Sequence, residues 1–420
     1  MKLAVIGGGS TYTPELIDGI ARLTGDIKIT ELVLVDPDAS RLSVVGPFSA
    51  RIMARYGHPA KVSWTADLDA AVEGAGAVLI QLRVGGQATR HRDETWPLEF
   101  CCVGQETTGA GGFAKALRTV PVVLDVAERV RQLAAPNAWI IDFTNPVGIV
   151  TRALLDAGHR AIGLCNVAIG YQRMAAEMLG VAPEAVDLDH VGLNHLTWER
   201  QVLVGGADKL PGLLASHGEE IAAHTGLPLE VTTTYGAVPS DYLRYYWAHD
   251  AVVEEERGRE TRAQAVAEIE RQLLEMYADP ALDTKPELLT HRGGAFYSEA
   301  AVALLASLLT DARDRQVVNV RNNGTLPFLS DRAVIEVSAI VGADGAVPVD
   351  VAPLDPLMTG LIAHASAYEE LAVAAAVHGG RDRVAKALLA NPIVGQYDLA
   401  QKLTDRLLAE NAAFLPWANR

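Results

Sequence analysis

Apolar positions fall first into short runs and later into longer helical patterns. Residues 2–6 (KLAVI) form a run of β-formers that stops at Gly7-Gly8-Gly9. Pro14 suits a first helical turn, where its missing N–H would be unpaired anyway. Leu16, Ile17, Ile20 and Leu23 then recur at helical spacing. A second run, 31–35 (ELVLV), ends at Asp36. Runs at 77–82, 139–143 and 161–164 repeat the motif between helical segments, and they lead to Arg83, Asn145 and Cys165. Strand alternating with helix predicts a parallel, doubly wound sheet over residues 1–165. Such sheets bind ligands beyond the carboxyl ends of their strands, so those three residues are expected near one cleft.

Beyond residue 170 helical stretches dominate, notably 261–277, 298–309 and 357–378, with strand candidates such as 317–320 and 333–337. No low-complexity linker or internal repeat interrupts the chain. The expected fold is α/β: an N-terminal Rossmann-like sheet (1–165) carrying a C-terminal α+β substrate domain (166–420). That is the general architecture of lactate and malate dehydrogenases.

Composition narrows the partners. The 420 residues are 49% hydrophobic and 21% charged, an ordinary globular balance. Fifty-two acidic residues against 36 basic ones give a net charge of −16. Such a surface repels phosphate backbones and anionic membranes, yet a few arginines in a cleft can still hold a small anion. Three cysteines exclude a disulfide framework and favour a reducing compartment. No apolar run approaches the ~18 residues of a membrane span. The opening MKLAVIGGGS is too poor in apolar residues for a secretory leader, so the expected location is cytoplasmic.

The first unit, closed by Asp36, has the βαβ pattern of a dinucleotide site. Its glycines let the backbone approach a pyrophosphate, and the helix N-terminus offers free N–H groups. A carboxylate at Asp36 accepts from ribose hydroxyls and repels a 2′-phosphate, which favours NAD over NADP. The third fingerprint position is Tyr12 rather than glycine.

Other candidates are individually ambiguous. Cys165 and His195, in GLCN and GLNHL, each read most simply as buried structural residues. Were they to converge, thiolate and imidazole would hold a metal and leave positions for substrate oxygens. Tyr242 lies in SDYLRYYW, where Tyr245, Tyr246 and Trp247 read as an aromatic cluster packing two helices. A tyrosine becomes a base only where a metal or cation lowers its pKa of ~10. Arg83, Arg90, Arg92 and Arg262 are ordinary surface residues unless they face an anionic substrate, where they would clamp it. The charge run 254–262 reads as a solvated helix start.

Taken together, GGGSTYTP at the start, RVGG at 83–86, GQETTGAGGF at 104–113, FTNP at 143–146, GLCN at 163–166, GLNHL at 192–196, YLRYY at 242–246, HRGG at 291–294 and VVNVRNNG at 317–324 resemble glycoside hydrolase family 4. The likeness is greatest to its 6-phospho-β-glucosidases and covers nearly the whole length. It implies a cycle outside the two-carboxylate scheme of most glycosidases. NAD⁺ takes hydride from sugar C3, which acidifies the C2 proton. A divalent metal, typically Mn²⁺, polarises the C3 oxygen, a tyrosine removes the C2 proton, and the C1 oxygen departs. Water then adds and both hydride and proton return, so NAD⁺ is regenerated.

The resemblance further implies Cys165 and His195 as metal ligands, Tyr242 as the base and Glu106 as an acidic neighbour that tunes it. It implies substrate contacts from Arg90, Asn145, Asn166 and Arg262, the arginines on the 6-phosphate, with Arg83 by the sugar or metal. Gly7, Gly9, Ser10, Thr11, Asp36 and Arg41 fall in the cofactor site. Asn166 stands where the α-glucosidase-like branch has an aspartate acid, which favours a β-glucoside and leaves the acid for aglycone departure unassigned. The implied partners are a small phosphorylated sugar and further copies of the chain, as homodimer or homotetramer. Alternatives are another family 4 sugar (a 6-phospho-α-glucoside, an unphosphorylated galactoside or a glucuronide), a net NAD-dependent hydroxyacid dehydrogenase, or a non-catalytic NAD sensor.

Overall fold

A computed structural model describes residues 1–22, 27–294 and 296–418; Leu23, expected on the first helix, lies outside these. Six strands pair in parallel: β1 (Lys2–Ile6), β2 (Glu31–Val35), β3 (Lys61–Thr65), β4 (Ala75–Ile80), β5 (Trp139–Asp142) and β6 (Ala161–Gly163), in the order β3-β2-β1-β4-β5-β6. This is the dinucleotide-binding strand order. Successive side chains enter opposite cores. Leu3, Val5, Leu32 and Leu34 join one core with helix residues Leu16, Ile17 and Phe48, while Ala4, Ile6, Val33 and Val35 join another with Phe113, Leu117 and Val120. Both faces are covered, so these strands read as continuous apolar runs. β3 is an edge strand without a fully buried residue and has no such run.

The rest of the chain extends the same sheet. The added strands are β7 (Val186–Leu193), β8 (Leu196–Val204), β9 (Ala207–Asp208), β10 (Val238–Pro239), β11 (Asp314–Arg321), β12 (Val334–Gly342) and β13 (Gly345–Pro348). β11 pairs antiparallel with β6 at Asn319 and Gly163, and the order continues β12-β7-β8-β10, with β13 on β12 and β9 on β8. The result is one thirteen-stranded sheet among the described residues. The expected helices are present: Arg262–Tyr277, begun by a Thr261–Gln264 capping box, Tyr297–Thr310, and Pro356–His378, capped by Asp355. The β7–β8 hairpin alternates only at its start, Val186–Asp189, and farther along it buries charge. His190 bonds Glu199 at 2.6 Å and Glu336 at 3.1 Å, and these carboxylates outweigh burial to raise its pKa to about 10. No helix among the described residues is long and apolar enough to cross a membrane.

Candidate active site

The carboxyl edge of the parallel strands gathers the expected residues. After β1, Gly7 and Gly8 donate to Val35 O at 2.8 Å, and Gly9 donates to the Asp36 carboxylate at 3.0 Å. A Cβ on Gly7 would lie 2.7 Å from Gln81 O, and one on Gly9 would lie 2.8 Å from Asp36 Cγ. Only glycine allows this close approach. Asp36 also accepts from Asp38 N–H at 2.9 Å, so its carboxylate is fixed at the end of β2. Arg41 donates to Gly9 O at 2.9 Å and faces Glu270 at 3.4 Å. Ser10 and Thr11 are bound by Arg292, which donates to the Thr11 hydroxyl at 2.7 Å and the Ser10 hydroxyl at 3.3 Å. Thr11 is completely buried, which makes it a brace of the loop.

Next to this loop is a cationic cluster. Glu106 is ion-paired with Arg83, with Lys115 at 2.7 Å and with Arg90 at 3.2 Å. Burial works against its charge, but the three cations hold its pKa well below the usual carboxylate range. Lys115 is pushed down to about 7, by burial first and then by Arg83. Arg90 also bonds Glu94 at 2.6 Å. Arg262 donates to His291 O at 2.8 Å, and burial followed by the charge of Arg90 lowers its pKa. Arg262 is exposed while Arg90 lies deeper, and two guanidiniums that sense one another can seat an anion. Arg92 points elsewhere and meets Glu410 at 4.0 Å. The Glu106 carboxylate is engaged by the three cations, and its own hydrogen bonds go to them rather than to the Tyr242 phenol. The adjacent Thr107 hydrogen-bonds that phenol.

The third group surrounds Cys165. β7 and β8 are joined by Asn194 and His195, and His195 adopts the left-handed conformation at φ 65°. β10 pairs with the start of β8, and Ser240 N–H bonds Thr197 O at 2.9 Å, so the turn that follows, Asp241–Leu243, delivers Tyr242 onto His195. Their rings stack at 3.7 Å. Tyr242 lies close enough to Cys165 for the two to oppose each other's ionisation, and Tyr297 OH approaches the Cys165 sulfur at 4.0 Å. Burial, aided by Glu336, raises the Cys165 thiol well above its ordinary value, while burial pushes His195 down to about 4. The neutral imidazole is the form that ligates, and a buried thiolate here would require a cation. Tyr242 is raised well above 10 by burial, then by Asp241, Cys165 and Tyr245. Asn145, after β5, reaches Tyr297 with its side chain. Asn166 precedes the helix Val167–Leu179. No group of three His, Cys, Asp or Glu suited to a metal occurs among the described residues, so Cys165 and His195 would hold an ion with open positions left over.

Residues 2–181 match the family model "Family 4 glycosyl hydrolase", and residues 190–394 match "Family 4 glycosyl hydrolase C-terminal domain". The chain belongs to glycosyl hydrolase family 4. A family 4 relative from Bacillus subtilis, a probable 6-phospho-β-glucosidase, is 35% identical over 99% of this chain and 97% of its own length. The 6-phospho-β-glucosidase of Thermotoga maritima, solved with manganese, NAD⁺ and glucose-6-phosphate, superposes with a TM-score of 0.93 at 34% identity and 99% coverage of both chains. Malate dehydrogenase of Salinibacter ruber, 18% identical, has a TM-score of 0.55 over 91% of this chain and 99% of its own, which shows a shared fold.

Several residues of this family 4 chain escaped sequence reasoning. Lys115 was detectable as a lysine inside the apolar stretch GAGGFAKA, since a charge on a buried helix face needs a partner. Arg292 and Tyr297 lie in or just after HRGG, a motif noticed without a role. Asn194 bonds Glu336 at 2.9 Å and also reaches Cys165, and no spacing announces such a link across strands.

Proposed function

We propose that the protein hydrolyses 6-phospho-β-glucosides, such as cellobiose 6-phosphate, using NAD⁺ and a divalent metal, most simply Mn²⁺. The observation that carries this reading is the convergence of Tyr242, His195 and Cys165 beside a dinucleotide loop and an arginine pair. NAD⁺ and the metal, when bound, supply reversible oxidation of the sugar and Lewis-acid polarisation. The glycine loop at 7–9 and Asp36 hold the dinucleotide, Cys165 and His195 hold the metal, and Arg90 and Arg262 hold the 6-phosphate. Tyr242 moves the C2 proton, with Thr107 bonded to its phenol. Asn145 and Asn166 orient sugar hydroxyls, and Arg83 and Lys115 keep Glu106 anionic next to them. Residues 1–165 serve the cofactor and 166–420 the substrate, metal and self-association, in a cytoplasmic homodimer or homotetramer.

The deciding assay supplies an aryl 6-phospho-β-glucoside with NAD⁺ and Mn²⁺ and follows aglycone release and NADH absorbance together. Aglycone release without NADH accumulation is expected. Stoichiometric NADH would instead make the protein a net dehydrogenase, and equal rates on the unphosphorylated glucoside would remove the 6-phosphate.

A further inference from the structure

A small polar cavity adjoins His195. Its walls include Thr107, Gly148, Asn194, His195, Tyr246 and Glu369, and it has room for about two water molecules. Glu369 comes from the helix Pro356–His378 and is 7% exposed. Its Oε2 is buried without a hydrogen-bond partner among the described residues. Its Oε1 lies against Gly148, where a Cβ would stand 2.9 Å away, so the carboxyl is accommodated because residue 148 is glycine. Burial raises its pKa to about 8, with Arg152 opposing and Glu336 adding to the rise. A buried carboxyl left without a partner is destabilising, and the chemistry assigned above does not use it.

His195 faces the same space. Its ring stacks on Tyr242 and borders the same cavity as Glu369. An imidazole that binds metal through one nitrogen ordinarily gives its other N–H to a carboxylate, carbonyl or water, which fixes the tautomer and ring orientation. The surroundings are rigid enough for that task. Asn194, next to His195, accepts from Gly148 N–H at 3.4 Å and donates to Glu336 at 2.9 Å, so the hairpin turn is tied to the helix terminus that shelters Glu369.

We propose that Glu369 is the outer partner of His195, reached through water in the shared cavity, and that it fixes the imidazole for metal binding. It is a positioning residue. The inference rests on the reading of His195 as a metal ligand.

The test uses the full-length chain loaded with NAD⁺ and measures Mn²⁺ affinity by electron paramagnetic resonance, alongside thermal melting without metal. Glu369→Gln and Glu369→Leu are expected to weaken Mn²⁺ binding about 10- to 100-fold. Their metal-free melting temperatures should stay level or rise, because an unpaired buried acid has been removed. A folded variant that binds Mn²⁺ as the parent does overturns the proposal. Failure of both variants to fold also overturns it, because the carboxyl is then structural. A parent chain that binds no Mn²⁺ overturns the metal site itself, whereas parental binding with unaffected variants removes only the role of Glu369.

Discussion

The imidazole of His195 lies flat on the phenol ring of Tyr242, with centroids 3.7 Å apart and planes 5° from parallel. Two residues from different elements are thereby fixed as one unit, and ring packing can be separated from the phenol oxygen by mutation.

Tyr242→Phe keeps the stacked ring and deletes the hydroxyl. We expect kcat to fall about 10²- to 10⁴-fold, the usual contribution of a positioned proton-transfer group, with Mn²⁺ affinity retained. Turnover in heavy water checks the assignment: the parent enzyme should place deuterium at C2 of the product. An unlabelled product would remove Tyr242 as the C2 base.

Arg262 sits near Arg90 and, among the described residues, has no carboxylate bonded to its guanidinium; burial followed by Arg90 disfavours its charge, with Glu94 opposing. Arg262→Ala should lower kcat/KM on a 6-phosphorylated glucoside about 10- to 100-fold, as expected for loss of a charge-assisted hydrogen bond. The loss should appear mainly in KM. Kinetics with phosphorylated and plain substrates provide the comparison, and an equal loss on both would place Arg262 away from the phosphate.

Asp36 receives backbone N–H groups from Gly9 and Asp38 and presents its carboxylate beyond β2. Asp36→Ala should weaken NAD⁺ about tenfold and narrow the preference over NADP⁺, because a hydrogen bond to ribose and a repulsive charge disappear together. Fluorescence titration with both dinucleotides measures the ratio. An unchanged ratio would contradict the placement of the ribose.

Asp142, at the end of β5, is completely buried; its Oδ1 accepts from Thr144 N–H at 3.0 Å and its Oδ2 has no partner among the described residues. Burial raises its pKa from 3.8 to about 8. The folded chain therefore holds a proton that the unfolded chain releases near pH 4. This contribution to stability is complete below that pH and is lost as pH rises through about 8. Asp142→Asn should gain more in melting temperature at pH 8 than at pH 5. Calorimetry at both values decides, and a parallel pair of curves would sink the assignment.

The parallel half of the fold was legible because each strand is covered on both faces and ends in a turn or chemical residue. β1 and β2 fall on the runs read from the pattern. The edge strand β3 and the β7–β8 hairpin were not legible, since one is exposed and the other buries His190 between carboxylates from β8 and β12. The tight turn from β1 through Gly7–Gly9 to Asp36 was legible because it is built from a few consecutive residues after a strand.

Sequence alone thus determined the strand–helix alternation that begins the chain, the glycine turn after β1 and, through its motifs, the family. Tertiary structure decided that Glu106 is surrounded by Arg83, Arg90 and Lys115 instead of meeting Tyr242, and that Tyr242 lies on His195. It also decided that Glu369 shares a cavity with that histidine. The physical reason is the range of the interactions. Hydrophobic period and backbone propensity act between near neighbours and leave a trace in the local pattern. Ion pairs and ring stacks join residues from separate strands and helices, so their partners are known only when the sheet has brought them together.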